Sequence, residues 1–393
     1  MKSILISLCL ICVILMAQSK WSEPELVMKG FDGSSASIYN DNRTGNSYVF
    51  YGYKEVKGDE TTPFLCYKAF MPGVAAPKEK CVKQTRIVMD VSASGDNDGK
   101  RMYVAFSAKR NINGASCTSS TPEGCVDVYF TETKNEGADW SEPVAISRAG
   151  MTDVKDRWNP KLISVYQKNR LFLAFLKGEY NDKTPDLFIS SRPDQSKVFN
   201  NEMDTDISPD GTNFDFTYTF STSFTLLHIV LKDNDMTGLI RFTSQNNGVS
   251  WKSWHVRRTE HDFTFSMSAT PDRRELYVLS LNNVNTLGIY WVNTDLMWFE
   301  ESYTLKSQPA GYKVALAAIS GYTHKAIIMA PLEIDDSQTI LFDSKEQTMT
   351  DLKDNAPLYL NPETRYFNVN GVIGFRVLIE KDGNLYTATY TLP

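Results

Sequence analysis

Short runs of β-branched and aromatic residues, alternating or continuous and bounded by Gly, Asn and Asp, recur along the whole chain, and helical periodicity is almost absent. Such runs predict strands. One unit is a turn followed by a strand: Gly99-Lys100-Arg101-Met102-Tyr103-Val104-Ala105-Phe106, Asn169-Arg170-Leu171-Phe172-Leu173-Ala174-Phe175 and Arg274-Glu275-Leu276-Tyr277-Val278-Leu279-Ser280. Fainter copies are Asn46-Ser47-Tyr48-Val49-Phe50 and Lys325-Ala326-Ile327-Ile328-Met329. A fixed repeat of sheet-forming units points to a radial array, not to a helical or α/β fold. Strand sets that start near residues 35, 87, 159, 214, 263, 313 and 365 are separated by 52, 72, 55, 49, 50 and 52 residues. Seven starts predict an all-β propeller of seven four-stranded antiparallel blades, with six blades plus extra strands as the alternative. The long interval holds Cys117 and Cys125 and reads as an insertion.

A second unit is sharper. Thr133-Lys134-Asn135-Glu136-Gly137-Ala138-Asp139-Trp140 and Ser244-Gln245-Asn246-Asn247-Gly248-Val249-Ser250-Trp251 share S/T-x-N-x-G-x-x-W, each after an apolar strand. Thr133, Asn135, Gly137 and Trp140, like Ser244, Asn246, Gly248 and Trp251, suit a hairpin turn: Asn bonds neighbouring amides, Gly supplies positive φ and Trp covers the turn. The first box continues as Trp140-Ser141-Glu142-Pro143, and Trp21-Ser22-Glu23-Pro24 repeats those four residues. The repeat predicts that Trp21 opens the outer strand of a blade whose other strands end the chain, roughly Arg365 to Tyr390. Closing the ring this way removes an exposed sheet edge.

The eight-residue unit resembles the Asp-box of the sialidase (neuraminidase) superfamily, with Asn where Asp is usual. That resemblance implies a propeller whose ligands meet the mouth of the central channel. Exo-sialidases of the family grip a sugar carboxylate with three arginines, whose planar forks match it in paired hydrogen bonds. A Tyr–Glu pair serves as nucleophile and an Asp as acid/base. The positions here that answer to those roles are Arg86, Arg157 and Arg365 for acidic groups and Trp158 or Tyr366 for sugar faces. Asp153, Asp156 and Tyr366 are the catalytic candidates. The family's Phe/Tyr-Arg-Ile-Pro motif has no match. Its nearest counterpart, Arg157-Trp158-Asn159-Pro160, carries an extra residue, and a one-residue shift in a strand turns a side chain to the other face. These features favour a propeller that binds glycans or proteins without hydrolysing them over an active exo-α-sialidase. A purely structural coat or matrix protein is the third expectation.

The N-terminus sets the compartment. Met1-Lys2, the 14-residue apolar run Ile4 to Ala17 and Ala17-Gln18-Ser19 read as a secretory signal peptide over residues 1–19. The run is shorter than the ~20 residues of a membrane span. Residues 20–393 are then one exported domain, secreted or at the cell surface. Loss of Lys2 leaves 40 basic against 47 acidic residues, and the absence of a basic block argues against nucleic acid. Four cysteines remain, Cys66, Cys81, Cys117 and Cys125, and we expect the local pairs Cys66–Cys81 and Cys117–Cys125 out of three possible pairings. Asn42-Arg43-Thr44 is a glycosylation sequon. His228, His255, His261 and His324 are scattered, and Asp96-Asn97-Asp98-Gly99 lacks the downstream Glu of a calcium loop. No metal or cofactor is expected. Glycans or glycoproteins are the expected partners.

Overall fold

The computed structural model describes residues 20–31, 36–41, 44–58, 60–71, 74, 77–84, 86–96, 100–109, 126–146, 155–165, 168–180, 182–193, 196, 199, 202–220, 225–233, 238–258, 263–270, 275–282, 286–292, 298–306, 314–318, 324–332, 336–352, 364–369 and 372–391. They form seven antiparallel sheets. Blade 1 runs outward through Ser37–Asn40, Ser47–Lys57, Glu60–Phe70 and Lys78–Lys83, and blade 2 through Val88–Gly95, Met102–Lys109, Val126–Thr133 and Val144–Ala145. Blade 3 contains Asp156–Val165, Arg170–Gly178, Asp186–Pro193 and Met203–Asp204; blade 4 contains Pro209–Phe220, Thr225–Asp233, Gly238–Ser244 and Lys252–Arg258. Blades 5 and 6 begin at Phe263–Thr270 and Ala315–Ala318, and blade 7 is built on Thr364–Val369, Val372–Lys381 and Asn384–Thr391. Successive innermost strands neighbour one another around the ring, and that of blade 7 returns to that of blade 1. The blade count is therefore seven. Among the described residues no helix is long and apolar enough to cross a membrane.

Middle strands lie between two neighbouring blades, so both of their faces are apolar. Arg170–Gly178 reads RLFLAFLKG, and its seven central residues are all buried. Leu171, Leu173 and Phe175 pack toward blade 2, whereas Phe172, Ala174 and Leu176 pack toward blade 4. Continuous apolar runs, not strict alternation, are what such doubly covered strands require. At the hub, the open edges of innermost strands are satisfied across the blades by small polar side chains. Ala93 N donates to Ser37 Oγ (3.0 Å), Leu162 N to Ser92 Oγ (2.9 Å), Ser164 N to Ser94 Oγ (3.0 Å) and Ala318 N to Ser268 Oγ (3.0 Å). Buried backbone N–H groups need such partners, which accounts for the serines in otherwise apolar inner strands.

The ring closes as the Trp-Ser-Glu-Pro repeat predicts. Lys20 and Trp21 pair with Thr391 and Tyr390, and Glu25–Lys29 pairs with Asn384–Thr387 across a register shift. Ser22 N donates to Thr389 O (2.8 Å) and Thr389 N to Ser22 Oγ (2.9 Å). In blade 2, Ser141 N donates to Glu132 O (2.9 Å) and Glu132 N to Ser141 Oγ (3.1 Å). The two serines make the same reciprocal pair of bonds to a third strand, which is why the four residues recur. Trp21 then packs on Tyr390, with ring centroids 5.1 Å apart.

Cys66 and Cys81 face each other on the third and outer strands of blade 1 and form a disulfide. Cys117, Cys125 and Asn42 lie outside the described residues, as do all of residues 1–19, the stretch read from sequence as a signal peptide. The insertion read from the 72-residue interval falls between Met102–Lys109 and Val126–Thr133, the two central strands of blade 2.

His228 is buried in blade 4, with Nε2 2.8 Å from Thr219 Oγ1 and Nδ1 3.5 Å from Thr243 Oγ1. Burial, and secondarily the Arg241 guanidinium, hold its pKa well below the usual histidine value. Protonation therefore favours the unfolded chain. Stability should fall as pH drops below about 6.5, by up to about 1.4 kcal/mol per pH unit from this group. Denaturant titrations of the native chain and His228→Gln across this range check it, the variant being expected to lose that component of the slope.

Candidate functional site

The connections into innermost strands and those between second and third strands share one end of the propeller, where the channel mouth lies. Asp-boxes, between third and fourth strands, sit at the other end. Arg86 precedes the inner strand of blade 2, Asp156, Arg157 and Trp158 open that of blade 3, and Arg365 and Tyr366 open that of blade 7. The sequence candidates thus reach the mouth end, but from different parts of the ring. Asp153 lies outside the described residues, as do the side chains of Arg365 and Tyr366; their backbones pair with Arg376 and Phe375.

Three of these residues are spoken for by the fold. Arg157 has no exposed surface. Its Nε and Nη2 donate to Glu202 Oε1 (2.5 Å) and Oε2 (3.1 Å), and Nη1 donates to Lys155 O (3.0 Å). Lys177, directly opposite Arg157 on the second strand, also donates to Glu202 Oε2 (2.8 Å). The planar fork that resemblance offers to a sugar carboxylate is occupied by a carboxylate of the chain itself. Asp156 Oδ1 accepts from Val126 N (2.7 Å) and Oδ2 from Tyr180 N (3.1 Å), which ties blade 3 to blade 2. Trp158 is 2% exposed and packs edge-on to Tyr180 at 5.7 Å, leaving no face for a sugar. Arg86 is half-buried, its guanidinium 4.8 Å from the centre of the Tyr129 ring.

The extra residue between Arg157 and Pro160 has a structural outcome. Asn159 takes φ 50° and register slips by one residue between Trp158 and Lys161, a β-bulge. A matching slip separates Val88 from Val91 in blade 2, and Asn159 N donates to Asp90 Oδ2 (3.2 Å) between the two bulged strands. Asp90 and Glu202 carry no motif, so sequence reasoning missed both; the sole sign was the extra residue itself. Asp96 also serves the fold, since its carboxylate accepts from Tyr103 OH and Ser164 Oγ at 3.1 Å each. Asn97, Asp98 and Gly99 lie outside the described residues. Among the described residues no group of three acidic, His or Cys side chains could hold a metal.

The two boxes are near-copies in space. Thr133 Oγ1 donates to Asn135 Oδ1 (2.9 Å) and accepts from Gly137 N (3.1 Å), while Asp139 N donates to Asn135 Oδ1 (2.9 Å). Ser244, Asn246, Gly248 and Ser250 repeat the pattern with every distance at 2.9 Å. Gly137 and Gly248 have φ of 86° and 90°, as the turn demands. Each box leans on the preceding blade: Trp140 contacts Phe50 (5.7 Å) and Tyr67 (5.9 Å) of blade 1, and Gly248 sits beside Ile189 and Met203 of blade 3.

No family model matches the sequence, and no curated protein does. Solved structures with the same fold are found. The Hadza microbial sialidase Hz136 matches over 90% of this chain at 11% identity with a TM-score of 0.53, and the Trypanosoma rangeli sialidase in complex with sialic acid over 96% at 10% identity with a TM-score of 0.54. The match spans only 64% and 59% of those sialidase chains. The BP39L lectin from Burkholderia pseudomallei matches over 92% of this chain and 96% of its own, at 14% identity and a TM-score of 0.60. The chain shares the β-propeller fold of these sialidases and this lectin.

Proposed function

We propose that this propeller is an exported glycan- or glycoprotein-binding protein that does not hydrolyse sialosides. One observation carries the reading: the Arg157 guanidinium is buried and bonded in two places to Glu202, so it presents no fork to a ligand. Transition-state binding of a sialoside needs its carboxylate held while the glycosidic bond breaks, and a site short of that grip retains recognition at most. The use of Asp156 and Trp158 within the fold supports the same conclusion. The likeness to a lectin of similar extent favours sugar as the ligand class, though fold alone assigns none. The leader and the Cys66–Cys81 disulfide support export. The test is a broad glycan panel probed with the mature chain. Saturable binding to a restricted set of glycans is expected. Absence of binding to the whole panel would leave the structural-protein expectation in its place.

A further inference from the structure

One hairpin of the ring stands clear of its sheet. In blade 1 the second and third strands, Ser47–Lys57 and Glu60–Phe70, have 11 residues each. Their counterparts in blade 2, Met102–Lys109 and Val126–Thr133, have 8 each. The flanking strands of blade 1 do not follow the extra length. Its inner strand pairs only with residues Ser47 to Phe50 and its outer strand only with Phe64 to Ala69. In blade 3, by contrast, the inner strand runs beside the second from Arg170 to Gly178. A ribbon of two strands, from the Tyr53–Phe64 pair to the Lys57–Glu60 pair, therefore projects at the mouth end. Five residues of strand reach about 16 Å.

Gly52 is the last buried residue of the second strand, and a Cβ there would lie 2.9 Å from Val88 O of blade 2. Beyond it Tyr53 is 37% and Val56 63% exposed, and Ile87, beside Val88, is 37% exposed. Half of the large apolar side chains exposed among the described residues are gathered here. Tyr53 shares its face with Phe64, at a ring distance of 6.0 Å, and Val56 points to the opposite face. Among the described residues no strand pairs with the inner edge of 53–57. Proteins guard such an edge with a bulge, a proline or unpaired charge. The register of this ribbon is unbroken, its Pro63 lies on the other strand, and Glu55 and Lys57 pair with each other (3.0 Å).

We propose that this inner edge docks an extended peptide of a partner protein, which bonds to residues 53–57 through its main chain as a third strand. A polypeptide repeats one donor and one acceptor at the spacing of a strand, and a sugar does not. Tyr53 and Val56 meet alternate side chains of the incoming strand, so the partner segment carries apolar residues on both of its faces. Lys54, Glu55, Lys57 and Glu60 mix both signs and select no polyanion. A third strand also supplies what the ribbon lacks, because two-stranded hairpins are marginal in water. The contact goes beyond sugar recognition and does not depend on it.

The probe is a phage-displayed library of random peptides, selected on the mature chain and counter-selected on a Tyr53→Ser, Val56→Ser double variant. Peptides that survive are synthesised and titrated by fluorescence anisotropy. The double variant is expected to bind them about tenfold more weakly, while it melts like the native chain and binds the same glycans. N-methylation along the peptide should abolish binding to the native chain at every second residue only, the period of a strand bonded along one edge. If no peptide survives, or sensitivity to N-methylation lacks that period, the docking edge is wrong and the glycan reading stands. A native dimer that the double variant makes monomeric would overturn it in favour of a second copy of the chain. Loss of glycan binding in the folded double variant would give the ribbon to sugar instead. A glycan panel without any binding sinks the glycan reading and leaves this one in place if the peptide results hold.

Discussion

Glu202→Leu is expected to cost about 3–5 kcal/mol of stability, the range for breaking a buried ion pair from one side. The change leaves Arg157, with no exposed surface, and Lys177, with a side chain 10% exposed, facing each other without a counter-charge. Arg157→Met together with Glu202→Leu should cost less than the two single changes combined, because the double variant removes a charge of each sign. Chemical denaturation of the three variants and the native chain measures both terms. A Glu202→Leu chain as stable as the native one would mean that Arg157 has another role.

A chain shortened to begin at Gly30 is expected to lose its monomeric folded state. It lacks Lys20–Trp21 and Glu25–Lys29, which are the only strands paired with the outer edge of Asn384–Thr391 among the described residues. Trp21, packed on Tyr390 and against the apolar groups of Ala317, Ile327 and Phe375, goes with them; Trp21→Ala alone should cost about 3 kcal/mol. The bared edge is a template for pairing with other copies. Size-exclusion chromatography should therefore find the shortened chain in aggregates, and a monomer with native melting behaviour would contradict closure by that strand.

Architecture was legible because each of its devices is local. The strand starts near 87, 159, 214, 263 and 365 fall within or beside Val88–Gly95, Asp156–Val165, Pro209–Phe220, Phe263–Thr270 and Thr364–Val369. Closure could be read from four residues because Ser22 and Ser141 do the same work in their sheets. The site was less legible because its occupancy is set by partners distant in sequence. Glu202 is 45 residues from Arg157, and nothing in the spacing of the two announces a pair. The same holds for Trp140: its box shares the S/T-x-N-x-G-x-x-W pattern of the second, yet Tyr67 and Lys80 of another blade take the carbonyl whose counterpart Trp251 bonds in the second box. A strand pattern specifies what a residue is beside in its own sheet. Which blade wall it meets depends on the ring as a whole.

The central claim is that the arginine nearest to the sialidase pattern is taken up by Glu202 of its own blade, which leaves the chain a binder. Release of the fluorophore from a fluorogenic sialoside, followed from mildly acidic to neutral pH, tests it most directly. The account predicts a rate equal to that of buffer. Turnover by the native chain that disappears in folded Arg86→Ala or Arg365→Ala variants would contradict it.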